Sequence, residues 1–320
     1  MQTRNLSGEG ASAVPTISIL GDSISTFEGC TFAGNRVYYQ PPQTGLTGVE
    51  EPGQTWWMQV IGGLGGALCA NGSYSGSMVQ GAGFPAAEQP GRAPQLLGEG
   101  GQAPDMVLIF IGVNDYGWGT AEAQEAGRSE AAPAVVAARA AGWTEADGPL
   151  EGERIAAAAV PGAAPADAAQ RFEAAYRRML QQVKGVAPAA QLWCITIPCG
   201  RERGKGGPAF AHALRGIAFD DYNQAIRDAA AAEGCRVADA AALGYDYDAL
   251  DGTHPTALGM QQLAAMVLHA MAAEGAATAP LPPLPPQEMR SAKRCQRATC
   301  INCPSVRSHG NPWFCVCDKQ

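Results

Sequence analysis

The sequence predicts an α/β fold, a doubly wound parallel sheet flanked by helices in three layers, with a small cysteine-rich C-terminal tail appended. Three observations lead there. Met106-Val107-Leu108-Ile109-Phe110-Ile111 is an unbroken apolar run, and a strand without polar alternation has both faces covered, as in the centre of a parallel sheet. Apolar strand-like runs alternate along the chain with stretches of helical period, the pattern of strand–helix–strand crossovers. The 320 residues suffice for a full core in one large domain with an appendage, or in about two domains.

Residues 1–15 read as a flexible lead-in. Thr16-Ile17-Ser18-Ile19-Leu20 comes next as a short buried strand, and Gly21 stops it where a tight turn must lift the next residues out of the sheet. Ser23 is thereby presented at a strand end, where open α/β sheets place their ligand crevice, and becomes a candidate nucleophile. Gly-Asp-Ser is also ordinary turn chemistry. The segment from Phe27 to Thr55 shows no sustained period, and loops of that length in compact domains are usually functional. Tyr38, Tyr39, Trp56 and Trp57 lie in or beside it. They either cover the core or form a sugar-stacking platform or lid.

Gln54 to Leu64 carries a helical stripe through Trp56, Val60 and Leu64, ended by the glycine cluster 62–66. That cluster precedes the strand Ala67-Leu68-Cys69-Ala70 rather than following one, so it is no dinucleotide fingerprint. The turn Asn71-Gly72-Ser73-Tyr74-Ser75-Gly76-Ser77 comes directly after this strand, and Gly112-Val113-Asn114-Asp115 directly after 106–111. Residues 120–166 are alanine-rich with interspersed Gly, Pro and acids, a helical insertion placed to cap a site. An amphipathic helix over 167–184, a strand over 192–197, a helix over 219–233 and a strand over 235–238 complete the body. Pro255 is expected to open a final helix through Ala273.

Net charge is −8. From Glu288 onward six Lys/Arg face two Asp/Glu, so the tail carries +4 and the remainder −12. The acidic body argues against a nucleic-acid partner. No apolar stretch approaches the ~20 residues that span a bilayer, and the N-terminus lacks the apolar core of a signal peptide. The expectation is a soluble, cytoplasmic protein without a membrane partner. Cysteines 30, 69, 194, 199 and 235 are scattered and read as small buried hydrophobes or free thiols.

Ser23 in its Gly-Asp-Ser turn, the Asn71–Ser77 turn, Gly112-Val113-Asn114-Asp115 and Asp251-Gly252-Thr253-His254, in that order, resemble the four blocks of the SGNH (GDSL-type) hydrolase family over about residues 16–272. The resemblance implies a three-layer, flavodoxin-like fold and a serine-dependent acyl hydrolase. It also implies an oxyanion hole made by the backbone N–H of Ser23, a backbone N–H of the second block and the side-chain amide of Asn114. Ser73 occupies the position given to the family's oxyanion glycine, with Gly72 displaced by one.

The residues allow that chemistry independently. A serine hydroxyl needs a base, and imidazole suits the task near neutral pH. His254 is held on a loop by the proline after it, and Asp251, three residues earlier, is placed to fix its tautomer. His269 reads as helix-packed or surface-exposed, His212 as a loop residue and His309 as part of the tail. No G-x-S-x-G elbow is present, and residues 1–287 hold no metal-ligand cluster, so no cofactor is expected for catalysis. The functions weighed are a metal-independent serine esterase acting on a small-molecule or carbohydrate ester with a small acyl group such as acetyl, an acyltransferase using the same site, and a catalytically silent protein that binds a partner through its tail.

Residues 276–287 form a Pro-rich linker, and Pro280–Pro286 should run as an extended polyproline spacer. Residues 288–320 hold Cys295, Cys300, Cys303, Cys315 and Cys317 with too few large apolar residues for a core. Cys300-x-x-Cys303 and Cys315-x-Cys317 offer two thiolate pairs to a structural zinc. Disulfides are the alternative, with one cysteine left over. What the tail binds is not legible.

Overall fold

The computed structural model describes residues 14–118, 166–202, 213–214 and 217–285. The lead-in up to residue 13, nearly all of the 120–166 insertion, His212, His309 and the tail with Cys300, Cys303, Cys315 and Cys317 lie outside the described residues.

Five strands form one sheet: β1 (Thr16–Gly21), β2 (Ala67–Asn71), β3 (Met106–Phe110), β4 (Gln191–Ile195) and β5 (Arg236–Ala238). Their order is β2-β1-β3-β4-β5 and every pairing is parallel. β1 and β3 run in register from Ile17↔Met106 to Gly21↔Phe110. The apolar run that predicts a central strand is thus central: Val107 to Ile111 are buried on both faces. The chain leaves β1 for β2 on one side and reaches β3 on the other, so the topological switch point lies between β1 and β3. Ser23 and Asn114 stand just beyond the carboxyl ends of those two strands.

With this strand order, the right-handed crossover rule for parallel strands puts α1 (Trp56–Gly63) on one face of the sheet, and α3 (Ala168–Val186) with α4 (Phe219–Ala232) on the other. The short α2 (Val113–Trp118) starts where β3 ends. α5 (Ala257–Ala273) packs on α1, and α3 packs on α4, which completes three layers. α3 buries the expected stripe Phe172, Tyr176, Met179, Leu180 and Val183. α5 is apolar nearly all round because α1, β5 and the short strand Tyr247–Ala249 all pack against it.

Two expectations are corrected. Pro255 does not open the last helix: Thr256 is its cap, with a hydroxyl that accepts the Gly259 N–H at 3.2 Å, and Pro255 stays outside as a bridge to Ala249. Nor does the Pro-rich segment stand off from the body as far as it is described. The Ala279 N–H donates to the Gly63 carbonyl at 2.7 Å, His269 Nε2 meets the Pro282 carbonyl at 2.8 Å, and Leu284 packs against the core. Prolines lack N–H groups but keep their carbonyls, so an extended Pro-rich chain can still be latched by donors from a neighbouring helix.

Candidate active site

Ser23 begins a single helical turn directly after β1. The Asp22 side chain caps it, accepting the Ile24 N–H at 3.0 Å, and Thr26 closes it by donating its hydroxyl to the Ser23 carbonyl at 2.9 Å. The turn is too tight for any residue but glycine at position 21: a Cβ there would lie 2.5 Å from Ser25 Oγ and 3.0 Å from the Phe110 carbonyl. The Trp56 indole N–H reaches Ser25 Oγ at 3.2 Å, fastening the turn to α1.

His254 comes from the opposite end of the chain and meets this turn. Its Nε2 lies 2.9 Å from Ser23 Oγ, and its Nδ1 lies 2.6 Å from Asp251 Oδ2. Asp251 is held in turn by its other oxygen, which accepts the backbone N–H groups of Thr253 at 2.9 Å and His254 at 2.8 Å. Burial alone would push the Asp251 carboxyl up, but the His254 charge and these hydrogen bonds outweigh it and hold the group down at about 2. An ionised Asp251 accepts a hydrogen bond from Nδ1–H, which fixes the tautomer that leaves Nε2 to accept from the serine hydroxyl. Such a line can move a proton off Ser23 as the oxygen attacks an acyl carbon.

Behind the nucleophile lies a buried pair of charges. Burial pushes the Asp22 carboxyl up to about 7, against the Ile24 N–H and the charges of His254 and Arg92. Arg92 is fully buried, and burial pulls its guanidinium down to about 10. It donates to the carbonyls of Gly21 at 3.2 Å and Gly72 at 2.8 Å and to Ser77 Oγ at 2.6 Å. One side chain therefore ties the end of β1 to the second block. Nothing in the local sequence around Arg92 marks it, because its acceptors are atoms of distant segments.

Two of the proposed oxyanion donors fare differently. The Asn114 side-chain amide donates to the Ser77 carbonyl at 3.0 Å, which sets it against the second block and leaves the amide a second proton. Ser73 does not fit its assignment. Its N–H donates to Asn71 Oδ1 at 3.0 Å, its carbonyl accepts from Asn35 Nδ2 at 2.9 Å, and the residue is fully buried. The reason is the Asn71 side chain, which also reaches the Ser25 carbonyl at 2.8 Å and folds the block under the nucleophile turn. The block turns back one step later: the Ser77 N–H returns to the Tyr74 carbonyl at 3.0 Å, with Gly76 at φ 80° inside the turn. Asn-Gly-Ser-Tyr-Ser-Gly offers two glycines two residues either side of Tyr74, and spacing alone does not choose between them.

The loop aromatics are mostly inward. Tyr39, Trp56 and Trp57 are fully buried, while Tyr38 stacks on His254. Among the described residues no group of three or more His, Cys, Asp or Glu is arranged to hold a metal ion, and no helix is long and apolar enough to cross a membrane.

The family model for GDSL-like lipase/acylhydrolase matches residues 15–137, the span that carries Ser23, the second block and Asn114 and to which the structure joins His254 and Asp251. Over that span the chain is similar to GDSL-like lipases and acylhydrolases. Solved structures similar to this chain include Bacteroides proteins described as GDSL-like lipases. One, from B. ovatus, is 21% identical over 82% of this chain and 100% of its own, at a TM-score of 0.49. Another, from B. uniformis, is 23% identical over 81% and 96%, also at 0.49. Phospholipase A1 from Streptomyces albidoflavus is 19% identical over 82% and 100%, at 0.44. Among curated proteins none matches the sequence significantly.

Proposed function

We propose that the protein is a serine esterase that removes small acyl groups through an acyl-enzyme. The observation that carries the reading is the continuous line Ser23 Oγ–His254 Nε2, His254 Nδ1–Asp251 Oδ2, at 2.9 and 2.6 Å. Ser23 Oγ attacks the ester carbonyl while its proton passes to Nε2. The bond to the alcohol then breaks, and His254 returns that proton to the leaving oxygen. Water repeats the cycle on the acyl-enzyme, releasing the carboxylic acid and restoring the Ser23 hydroxyl. The oxyanion is met by the Ser23 N–H, the Asn114 amide and, in place of Ser73, the backbone of the turn at Gly76.

A small acyl group is favoured because Ser23 is only 5% exposed. A carbohydrate alcohol loses the support of the aromatic loop, since Tyr39, Trp56 and Trp57 are buried. Acetylated sugars therefore enter the test as one substrate class beside simple acetyl esters. The deciding experiment is labelling with a fluorophosphonate probe and turnover of short acyl esters, in the wild type and in Ser23→Ala. Labelling and turnover in the wild type, both abolished in Ser23→Ala, are expected, and activity in Ser23→Ala overturns the mechanism. Burst kinetics with added alcohol acceptors separate hydrolysis from acyl transfer.

A further inference from the structure

Tyr38 and Tyr39 lie side by side in the 27–55 loop and engage the base loop in two ways. The Tyr38 ring lies flat on the His254 imidazole, with centroids 3.6 Å apart and planes 7° apart. The Tyr39 hydroxyl donates to the Pro255 carbonyl at 2.9 Å, fully buried. The backbone of the same pair is tied to the nucleophile turn. The Tyr38 N–H donates to Thr26 Oγ1 at 2.9 Å, and that hydroxyl is the one that donates to the Ser23 carbonyl at 2.9 Å. One short segment thus touches both ends of the Ser23–His254 contact, whose residues are 231 positions apart in sequence.

We propose that Tyr38 is a positioning residue of the esterase: its ring holds the plane of the His254 imidazole toward Ser23, and its backbone, through Thr26, sets the nucleophile turn at the matching distance. The imidazole is hinged through Nδ1 on Asp251, and the terminal torsion of a histidine is broad. A flat aromatic wall removes that freedom and keeps water off one face of the ring. Proton transfer depends on hydrogen-bond geometry, and a misplacement of about 1 Å can cost on the order of 10²-fold. The stacked face also supports the imidazolium that forms during turnover. The other charged groups around the ring are Asp251 on its own loop, Asp22 on the nucleophile turn and Arg92 beyond Asp22. Changing Tyr38 leaves all three in place.

The test compares Tyr38→Phe, Tyr38→Leu and Thr26→Val with the wild type on p-nitrophenyl acetate, reading kcat and KM across pH, with thermal unfolding as the check on folding. Tyr38→Phe keeps the ring and should stay within about threefold of wild-type turnover. Tyr38→Leu should lose on the order of tenfold or more in kcat with KM within about twofold. The acid limb of its kcat/KM profile should move to lower pH by about half a unit, because the face that favours the imidazolium is gone. Thr26→Val should lower kcat without raising KM. Wild-type kcat with an unmoved acid limb in Tyr38→Leu overturns the proposal, as does a Tyr38→Phe variant as impaired as Tyr38→Leu. Tyr38→Met, which fills the same space with an apolar chain, is read in the same way if Tyr38→Leu does not fold. The proposal rests on the esterase reading, so Ser23→Ala is run alongside. Turnover abolished by Ser23→Ala but indifferent to Tyr38 sinks the positioning role alone, whereas a wild type inert to esters and fluorophosphonate sinks both.

Discussion

Asn114 shows what a single side chain does here that its sequence block does not spell out. One proton of its amide is committed to the Ser77 carbonyl, which fixes the side chain so that the other can serve a developing oxyanion. Asn114→Ala should lower kcat on the order of 10²- to 10³-fold while KM changes little. An effect confined to KM would assign Asn114 to substrate positioning. Asp22 supplies a pH test. Its folded-state value of about 7 stands above the ordinary 3.8, so the folded protein holds this proton more tightly than the unfolded chain does. Its contribution to stability is therefore greatest at low pH, falls as pH rises from about 4 to about 7, and is constant above that. Asp22→Asn removes the titration but not the cap geometry. The melting temperature of the wild type relative to Asp22→Asn should accordingly drop between pH 4 and pH 7.5, and a flat difference would show that Asp22 does not titrate in that window. Ser23, Asn114, Asp251 and His254 are all legible as residues, because each stands in a short block of fixed local chemistry. Arg92 and the place of Tyr38 are not, since their partners are brought in from elsewhere by the fold.

Among the elements, the strands and helices of the body match the sequence expectation within a few residues, for a simple reason. Period and apolar run length are local, and the burial that rewards them is nearly uniform through a doubly wound sheet. Element junctions are less local. At the start of α5 the chain crosses the short strand Tyr247–Ala249 so closely that a Cβ on Gly259 would lie 1.8 Å from the Asp248 carbonyl. Gly259→Ala must push the helix off this strand and with it the loop that carries Asp251 and His254. A loss of stability on the order of 3 kcal/mol, read by denaturant unfolding, is expected, with turnover reduced in whatever remains folded. A variant as stable as the wild type would mean that the junction is looser than its spacing implies. The long 27–55 loop reads as aperiodic in sequence, and the structure gives it only single turns at Gln43–Thr47 and Pro52–Gln54. Its order comes from contacts with the nucleophile turn and the base loop, which no local pattern encodes.

For the molecule as a whole, the α/β body, the Pro-rich strap and the cysteine-rich tail are distinguishable by experiment. Deleting residues 288–320 should leave esterase turnover unchanged, whereas Leu284→Ala, which empties part of the contact between the strap and the core, should lower the melting temperature by a few degrees. Equal stability of Leu284→Ala and the wild type would return the strap to the role of a loose spacer. The reading of the tail as a zinc module predicts about one zinc per chain in protein purified without a metal column, lost on Cys300→Ser. Metal-free protein with every tail thiol titratable rejects it. By itself the sequence determined the class of sheet, the order of its strands and helices, and the four blocks that carry the chemistry, because these rest on periodicity, turn residues and short-range spacing. Only the tertiary structure decided which second-block residue is buried beneath the nucleophile turn, which buried arginine joins that turn to the block, and which loop tyrosine lies on the imidazole. Each of those depends on side chains meeting across tens to hundreds of residues, and such meetings are settled by packing the whole chain rather than by any window of it.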